Sequence, residues 1–258
     1  MSSTMDFDTL KAFLDEKVEE FYRPEFIETD PIQVPHRFSK KEDIEIAGFL
    51  AATIAWGTRA AIIKNALYLM QLLDEDPHSF VLYASSAELK RLKKFVHRTF
   101  NGDDCVYFIQ SLRNIYTSHG GLQKVFEEGF LNGDTAWAAL AHFHGLFFEL
   151  PGERTQKHVS NVRKGASAKR LNMYLRWMVR EDKARVDFAL WKGIPASALM
   201  LPLDVHTGNV GRKLGLLQRK SSDWKAVEEI TANLRRFDPQ DPIKYDFALF
   251  GLGVFEKF

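Results

Sequence analysis

Apolar residues recur at intervals of three and four along most of the chain, and no sustained stretch alternates with a period of two, so the pattern predicts an all-α fold. Residues 8–22 gather Leu10, Phe13, Leu14, Val18 and Phe21 on one face of a first helix. Pro24, Pro31 and Pro35 break the pattern, and 23–40 reads as an extended connection. From Lys41 to Trp56 the second half is apolar almost all round, which predicts a central helix. Another starts at Thr58 and carries Ile62, Ile63, Ala66, Leu67, Met70 and Leu73. Shorter helices are predicted over 76–83, 86–97, 103–117, 120–130 and 134–149.

In the last third, residues 169–180 put Leu171, Tyr174, Leu175 and Met178 on one face. Lys169, Asn172, Arg176 and Arg180 fall within an arc of about 80° opposite, a cationic stripe directed away from the core. Asp204 is placed as the N-cap of a helix that closes on Arg212-Lys213-Leu214-Gly215, with basic residues in its last turn and a terminal glycine. Ser222 opens a helix with Val227, Ile230 and Leu234 inward. Asp241-Pro242 reads as a capping residue followed by proline at the first helical position of an amphipathic last helix bearing Ile243, Phe247, Phe250 and Val254.

Composition bounds the class. A chain of 258 residues with 45% hydrophobic and 27% charged residues and no low-complexity tract is that of a folded globular protein. The longest largely apolar, uncharged run, Ile46 to Trp56, has eleven residues, short of the roughly 20 needed to cross a bilayer, so no membrane association is expected. The acidic N-terminus does not have the form of a signal peptide. A single cysteine, Cys105, excludes an intrachain disulfide, a multi-cysteine zinc site and a four-cysteine iron–sulfur cluster, and it fits a cytoplasmic location. His142 and His144, two apart on a helix, point about 160° away from each other and make poor joint ligands. No spaced set of His, Asp and Glu predicts a metal site.

Charge changes the picture locally. The net is only +1, yet residues 1–30 hold nine acidic and three basic side chains, and residues 157–185 hold nine basic against two acidic, a local net of +7. Such a patch is a footprint for phosphate backbones or a solvated face. A second cluster, Lys90, Arg91, Lys93, Lys94 and Arg98 against Glu88, surrounds a helix whose Leu89, Leu92, Val96 and Phe100 share an apolar side, and it reads as a solvated face.

Within the larger patch the chain reads Gly165-Ala166-Ser167-Ala168-Lys169-Arg170-Leu171-Asn172. A glycine-led turn before a helix directs backbone N–H groups outward, and with Arg163, Lys164 and Arg170 around it this turn can grip a phosphate without reading sequence. Lys169 is a candidate nucleophile, and Asp204, at the next marked helix start, a candidate carboxylate. Each also has a plain structural reading, as a solvated lysine and a helix cap. His206, in the first turn after Asp204, reads as a phosphate-facing or merely satisfied histidine. Trp56, at the end of the central helix, reads as core or as a ring that stacks on a flipped base or wedges into a duplex.

The order Gly-x-Ser-x-Lys-x-x-Asn, then Leu203-Asp204-Val205-His206-Thr207, then Val210-Gly211-Arg212-Lys213-Leu214-Gly215-Leu216, resembles the helix-hairpin-helix DNA glycosylases of base-excision repair. In those enzymes a Gly-x-Gly-x-Lys hairpin precedes a Val-Asp-Thr-His segment. The wording Lys169-Arg170-Leu171-Asn172-Met173-Tyr174-Leu175-Arg176-Trp177-Met178 is similar to a bacterial branch of unknown function. The resemblance is strongest over 160–258 and weaker over 45–75. Ser167 stands where the family has its second hairpin glycine. Lys169 and Asp204 are 35 residues apart (204 − 169), similar to an archaeal branch that removes oxidised guanine. The four-cysteine cluster motif of some members is missing, so the resemblance implies no cofactor.

What the resemblance implies is a two-lobed helical enzyme, with 45–200 as a barrel lobe holding the hairpin at about 160–180 and with 1–44 and 201–258 as the second lobe. Its catalytic residues would be Lys169 and Asp204, and its DNA contacts Arg163, Lys164, Gly165, Ser167, Arg170, Arg176 and His206. It would act as a monomer on double-stranded DNA containing a damaged base. Breaking an N-glycosidic bond builds positive charge on the sugar, which a fixed carboxylate stabilises. A lysine attacks only when neutral, so this chemistry needs burial or neighbouring cations to lower its pKa from about 10.4. The alternatives are a non-catalytic helix-hairpin-helix DNA-binding protein and a helical scaffold for a protein partner.

Overall fold

The computed structural model describes residues 5–181 and 183–258. Among the described residues thirteen α-helices and several short 3-10 turns make up nearly all the regular structure, and the strands are a single pair of two residues each. The fold is therefore all-α. No helix among the described residues is long and apolar enough to cross a membrane.

The chain divides into two compact units, Ile27–Asn161 and Met1–Phe26 with Val162–Phe258. The boundaries lie at 26/27 and 161/162, where the sequence had suggested 44/45 and 200/201. As a result the hairpin, Lys169 and Asp204 all belong to one unit.

In the unit Ile27–Asn161 the central helix Lys41–Thr53 is buried from Asp43 to Thr53. The Phe49 ring lies 5.4 Å from Phe143, 5.5 Å from Phe147 and 5.9 Å from Phe108, so the helices Gly102–Ser118 and Ala136–Phe147 close over it with aromatic contacts. Two expectations are corrected in the segments around this core. The stretch 23–40 is not extended: it contains one helical turn, Phe26–Thr29, and two 3-10 turns, Pro31–Gln33 and Pro35–Arg37. Proline suits the first position of such turns, where its missing N–H leaves no bond unmade, and the Asp30 side chain caps the first by accepting the Ile32 N–H at 3.0 Å.

The helix expected over 86–97 stops at Arg91. A 3-10 turn, Leu92–Lys94, leads into Val96–His97, which pairs with Phe100–Asn101 across a turn where Arg98 is left-handed at φ 53°. The burial of Phe95 drives the change: its ring stacks on Tyr68 and meets the edge of Phe100, while Val96, assigned to the apolar face, is 61% exposed. The surrounding cations, Lys90, Arg91, Lys93, Lys94 and Arg98, are solvent-exposed as expected.

In the other unit the last helix, Tyr245–Val254, is the centre. It is buried nearly all round, not amphipathic, and both the first helix, Phe7–Phe21, and the Asp204 helix, Val205–Lys213, pack on it. Gly251 makes the first of these contacts possible, because a Cβ there would collide with the Phe21 ring. Gly251→Ala is accordingly expected to destabilise the protein by about 1–3 kcal/mol through overpacking, read as a lowered urea midpoint with an unchanged slope.

Candidate functional site

The hairpin is built from a 3-10 turn, Val162–Lys164, and the helix Lys169–Val179. Between them Gly165 takes a left-handed φ of 78°, and its N–H donates to the Val162 carbonyl at 2.9 Å. The Gly165 carbonyl accepts the Trp224 N–H at 2.9 Å, which ties the turn to the start of the helix Trp224–Phe237. Ala168, left-handed at φ 51°, precedes the hairpin helix and supplies no side-chain cap. The positive end of the helix is thus left without a capping side chain, beside exposed Arg163, Lys164 and Gly165. Ser167 is not among the left-handed residues, so serine in place of glycine carries no backbone strain there. Its carbonyl accepts from Asn172 Nδ2 at 3.1 Å.

The cationic stripe of the hairpin helix does not face outward, and this corrects the role expected for Arg176. Asn172, Arg176 and Arg180 are buried. Arg176 Nε donates to Asp187 Oδ1 at 3.3 Å and its Nη1 to Asp246 Oδ2. Arg180 Nη1 donates to Asp187 Oδ2 at 3.1 Å, and its Nε to both oxygens of Asp241, at 3.0 and 2.9 Å. The Asp241 carboxylate, expected to cap the last helix, makes no capping bond and is engaged by Arg180 instead. Aromatic faces cover the guanidiniums, with Phe247 4.5 Å from Arg176 and Tyr22 4.7 Å from Arg180. The partners of these arginines are remote along the chain, so a helical wheel registers only the cations. Asp187→Ala leaves two buried guanidiniums short of a shared carboxylate and is expected to cost about 3–5 kcal/mol, measured by denaturant unfolding.

Seven of the nine cations of 157–185 remain outside this network. Arg170 is half-buried, and burial pulls its guanidinium down to about 10. Lys169 is half-buried as well. Its Nζ lies 3.6 Å from Met173 Sδ, one turn further along the helix, and among the described residues no carboxylate pairs with it.

Asp204 occupies the cap position as expected. Its Oδ1 accepts the His206 N–H at 2.8 Å and the Thr207 N–H at 3.0 Å, and its own N–H donates to Thr207 Oγ1 at 2.9 Å, a reciprocal capping box. Its Oδ2 accepts no hydrogen bond among the described residues. Half-buried, Asp204 is flanked by exposed Val205 and His206.

Asp246 joins the two ends of the site. Burial pushes its carboxyl up to about 6, Arg176 pulls against that, the negative charge of Asp204 raises it further and the ammonium of Lys169 lowers it. Lys169 and Asp204 therefore both act on one buried carboxyl. Because this folded value lies above the ordinary 3.8, the group favours folding most at low pH, and that contribution is lost as pH rises through about 6. Sequence reading missed Asp246; its signal was a lone carboxylate in the apolar run Tyr245-Asp246-Phe247-Ala248-Leu249.

Trp56 lies in the other unit. Its half-buried ring stacks on His158 at 5.6 Å and meets His97 edge-on at 5.0 Å, and its carbonyl is 3.0 Å from His97 Nε2. It is held by its neighbours without being enclosed. Among the described residues no group of three or more His, Cys, Asp or Glu is arranged to hold a metal ion.

Residues 30–255 match a protein family described as "Protein of unknown function (DUF2400)". No curated protein matches the chain, and no solved structure does. The match takes in most of both units, the hairpin, Lys169, Asp204 and Asp246, and on that extent the chain belongs to the DUF2400 family.

Proposed function

We propose that the protein is a DNA glycosylase that excises a damaged base, such as oxidised guanine, with Lys169 as nucleophile and Asp204 as the carboxylate beside the sugar. The observation that supports this most is the pairing of a half-buried lysine lacking a carboxylate partner with an aspartate whose second oxygen is uncommitted, both acting on buried Asp246. In this reading the neutral Lys169 amine attacks C1′ of a flipped deoxynucleoside. The N-glycosidic bond breaks, and the base leaves with the electron pair and takes up a proton. Asp204 stabilises the positive charge that develops on the sugar. The resulting Schiff base can lose a C2′ proton and expel the 3′ phosphate, which is abasic-site lyase activity. Arg163, Lys164, the turn at Gly165 and Ser167, Arg170 and His206 are the candidate contacts to the DNA backbone.

The test is incubation with duplex oligonucleotides carrying oxidised guanine, uracil or an abasic site, with and without borohydride. Base release and a trapped adduct are expected; neither, across a broad lesion panel, overturns the proposal. The complete capping box favours a second reading, because capping alone explains an aspartate at 204. A non-catalytic helix-hairpin-helix DNA-binding protein would bind duplex DNA with strong salt dependence, form no product, and bind equally well after Asp204→Asn.

A further inference from the structure

The buried ion network adds a residue to this site. Lys169 and Arg176 are seven positions apart, about 10 Å along the helix axis and on nearly the same face. The Lys169 side chain runs toward Met173, down the helix in the direction of Arg176. Arg176 is fixed at its far side by Asp187 and donates to Asp246 in the first turn of the last helix. The Asp204 helix packs on that same last helix. Asp246 is thereby placed between the element that carries the nucleophile and the element that carries the carboxylate.

Few other charges bear on it. The hairpin helix presents Arg176 and Lys169, and the Asp204 helix presents Asp204. On the first helix, Asp15 accepts from the Tyr245 hydroxyl at 2.8 Å and Lys17 pairs with Glu256 at 2.6 Å. Lys244, ahead of the last helix, pairs with Asp238 at 2.7 Å, and Asp241 is engaged by Arg180.

We infer that Asp246 is a positioning residue of the Lys169–Asp204 site, anchored by Arg176, through which release of a proton from Lys169 is coupled to uptake of a proton at Asp246. The role rests on the reading of Lys169 as a nucleophile. The coupling is reciprocal: when the ammonium becomes a neutral amine, the charge that held Asp246 ionised disappears, and the carboxylate gains a proton as the lysine loses one. The site then keeps its net charge as the nucleophile is activated. Asp204 works in the opposite direction, since its fixed negative charge favours protonated Asp246.

The test is a ¹³C-carboxyl NMR titration of the full-length chain, with Asp246→Glu used to assign the aspartate resonance. A wild-type midpoint near 6 is expected. It should rise by about one pH unit in Lys169→Gln and fall by a similar amount in Asp204→Asn, while exposed Lys157→Gln leaves it unmoved. A midpoint that ignores both site variants overturns the inference, whether or not the protein acts on DNA. As a second readout, the pH profile of borohydride trapping should shift to lower pH in Asp246→Asn and return in Asp246→Glu. An adduct that forms with the same pH profile in all three proteins also overturns it. Absence of any adduct from the wild type counts against the glycosylase reading alone, because the NMR titration still decides the coupling.

Discussion

Lys169→Ala is expected to abolish the borohydride-trapped adduct and to slow strand cleavage at an abasic site by on the order of 10³-fold or more, because the covalent route ends with the amine. The same change should leave the unfolding midpoint nearly where it was. The Lys169 ammonium touches only Met173 Sδ and holds no carboxylate, so its removal falls in the class of substitutions that alter stability by about 0.5 kcal/mol or less. Loss of activity with a retained fold separates a nucleophile from a structural lysine. Exposed Lys157, in the same basic segment, serves as the control whose replacement leaves trapping intact.

Asp204→Asn is the second large effect. Asparagine caps a helix about as well as aspartate, so the Val205–Lys213 helix should keep its start and the melting temperature should barely move. Base release should nevertheless fall by about 10²–10⁴-fold, the usual worth of a positioned acid or base, since the amide carries no charge to set against a cationic sugar. Asp204→Ala should lose the same activity and about 1 kcal/mol of stability besides, for want of the cap. DNA affinity measured by fluorescence anisotropy at fixed salt should change little in either variant. If both variants release base at the wild-type rate, Asp204 is a cap and nothing more.

Local pattern carried much of the fold. Periodicity of three and four marked the buried Lys41–Thr53 helix, and the Asp204 cap followed from an Asp ahead of a helix closed by Lys213 and Gly215. What failed depended on contacts distant in sequence. The segment after Arg91 turned away from helix because Phe95 found Tyr68 and Phe100, which no window around it contains. Arg176 and Arg180 pointed inward because Asp187, Asp241 and Asp246 were waiting there, and a wheel drawn over 169–180 shows four polar residues on one side without showing what faces them.

The candidate site was legible in the same uneven way. Lys169, Gly165 and Asp204 stand at chain positions a motif can name, since a left-handed glycine, a helix start and a cap are local events. The turn also needs a second left-handed residue, and that falls on Ala168 and not on Ser167, a choice that composition does not announce. Asp246 was the least visible, because its importance comes from being enclosed with Arg176 and from sharing that enclosure with two charges from other helices.

The central claim is that Lys169 forms the covalent bond to the sugar. Its most direct test is proteolysis and mass spectrometry of the borohydride-reduced complex with an abasic-site oligonucleotide. The adduct is expected on a peptide containing Lys169 as the modified residue. An adduct on the N-terminal amine or on an exposed lysine such as Lys164 or Lys157, with Lys169 unmodified, would contradict it.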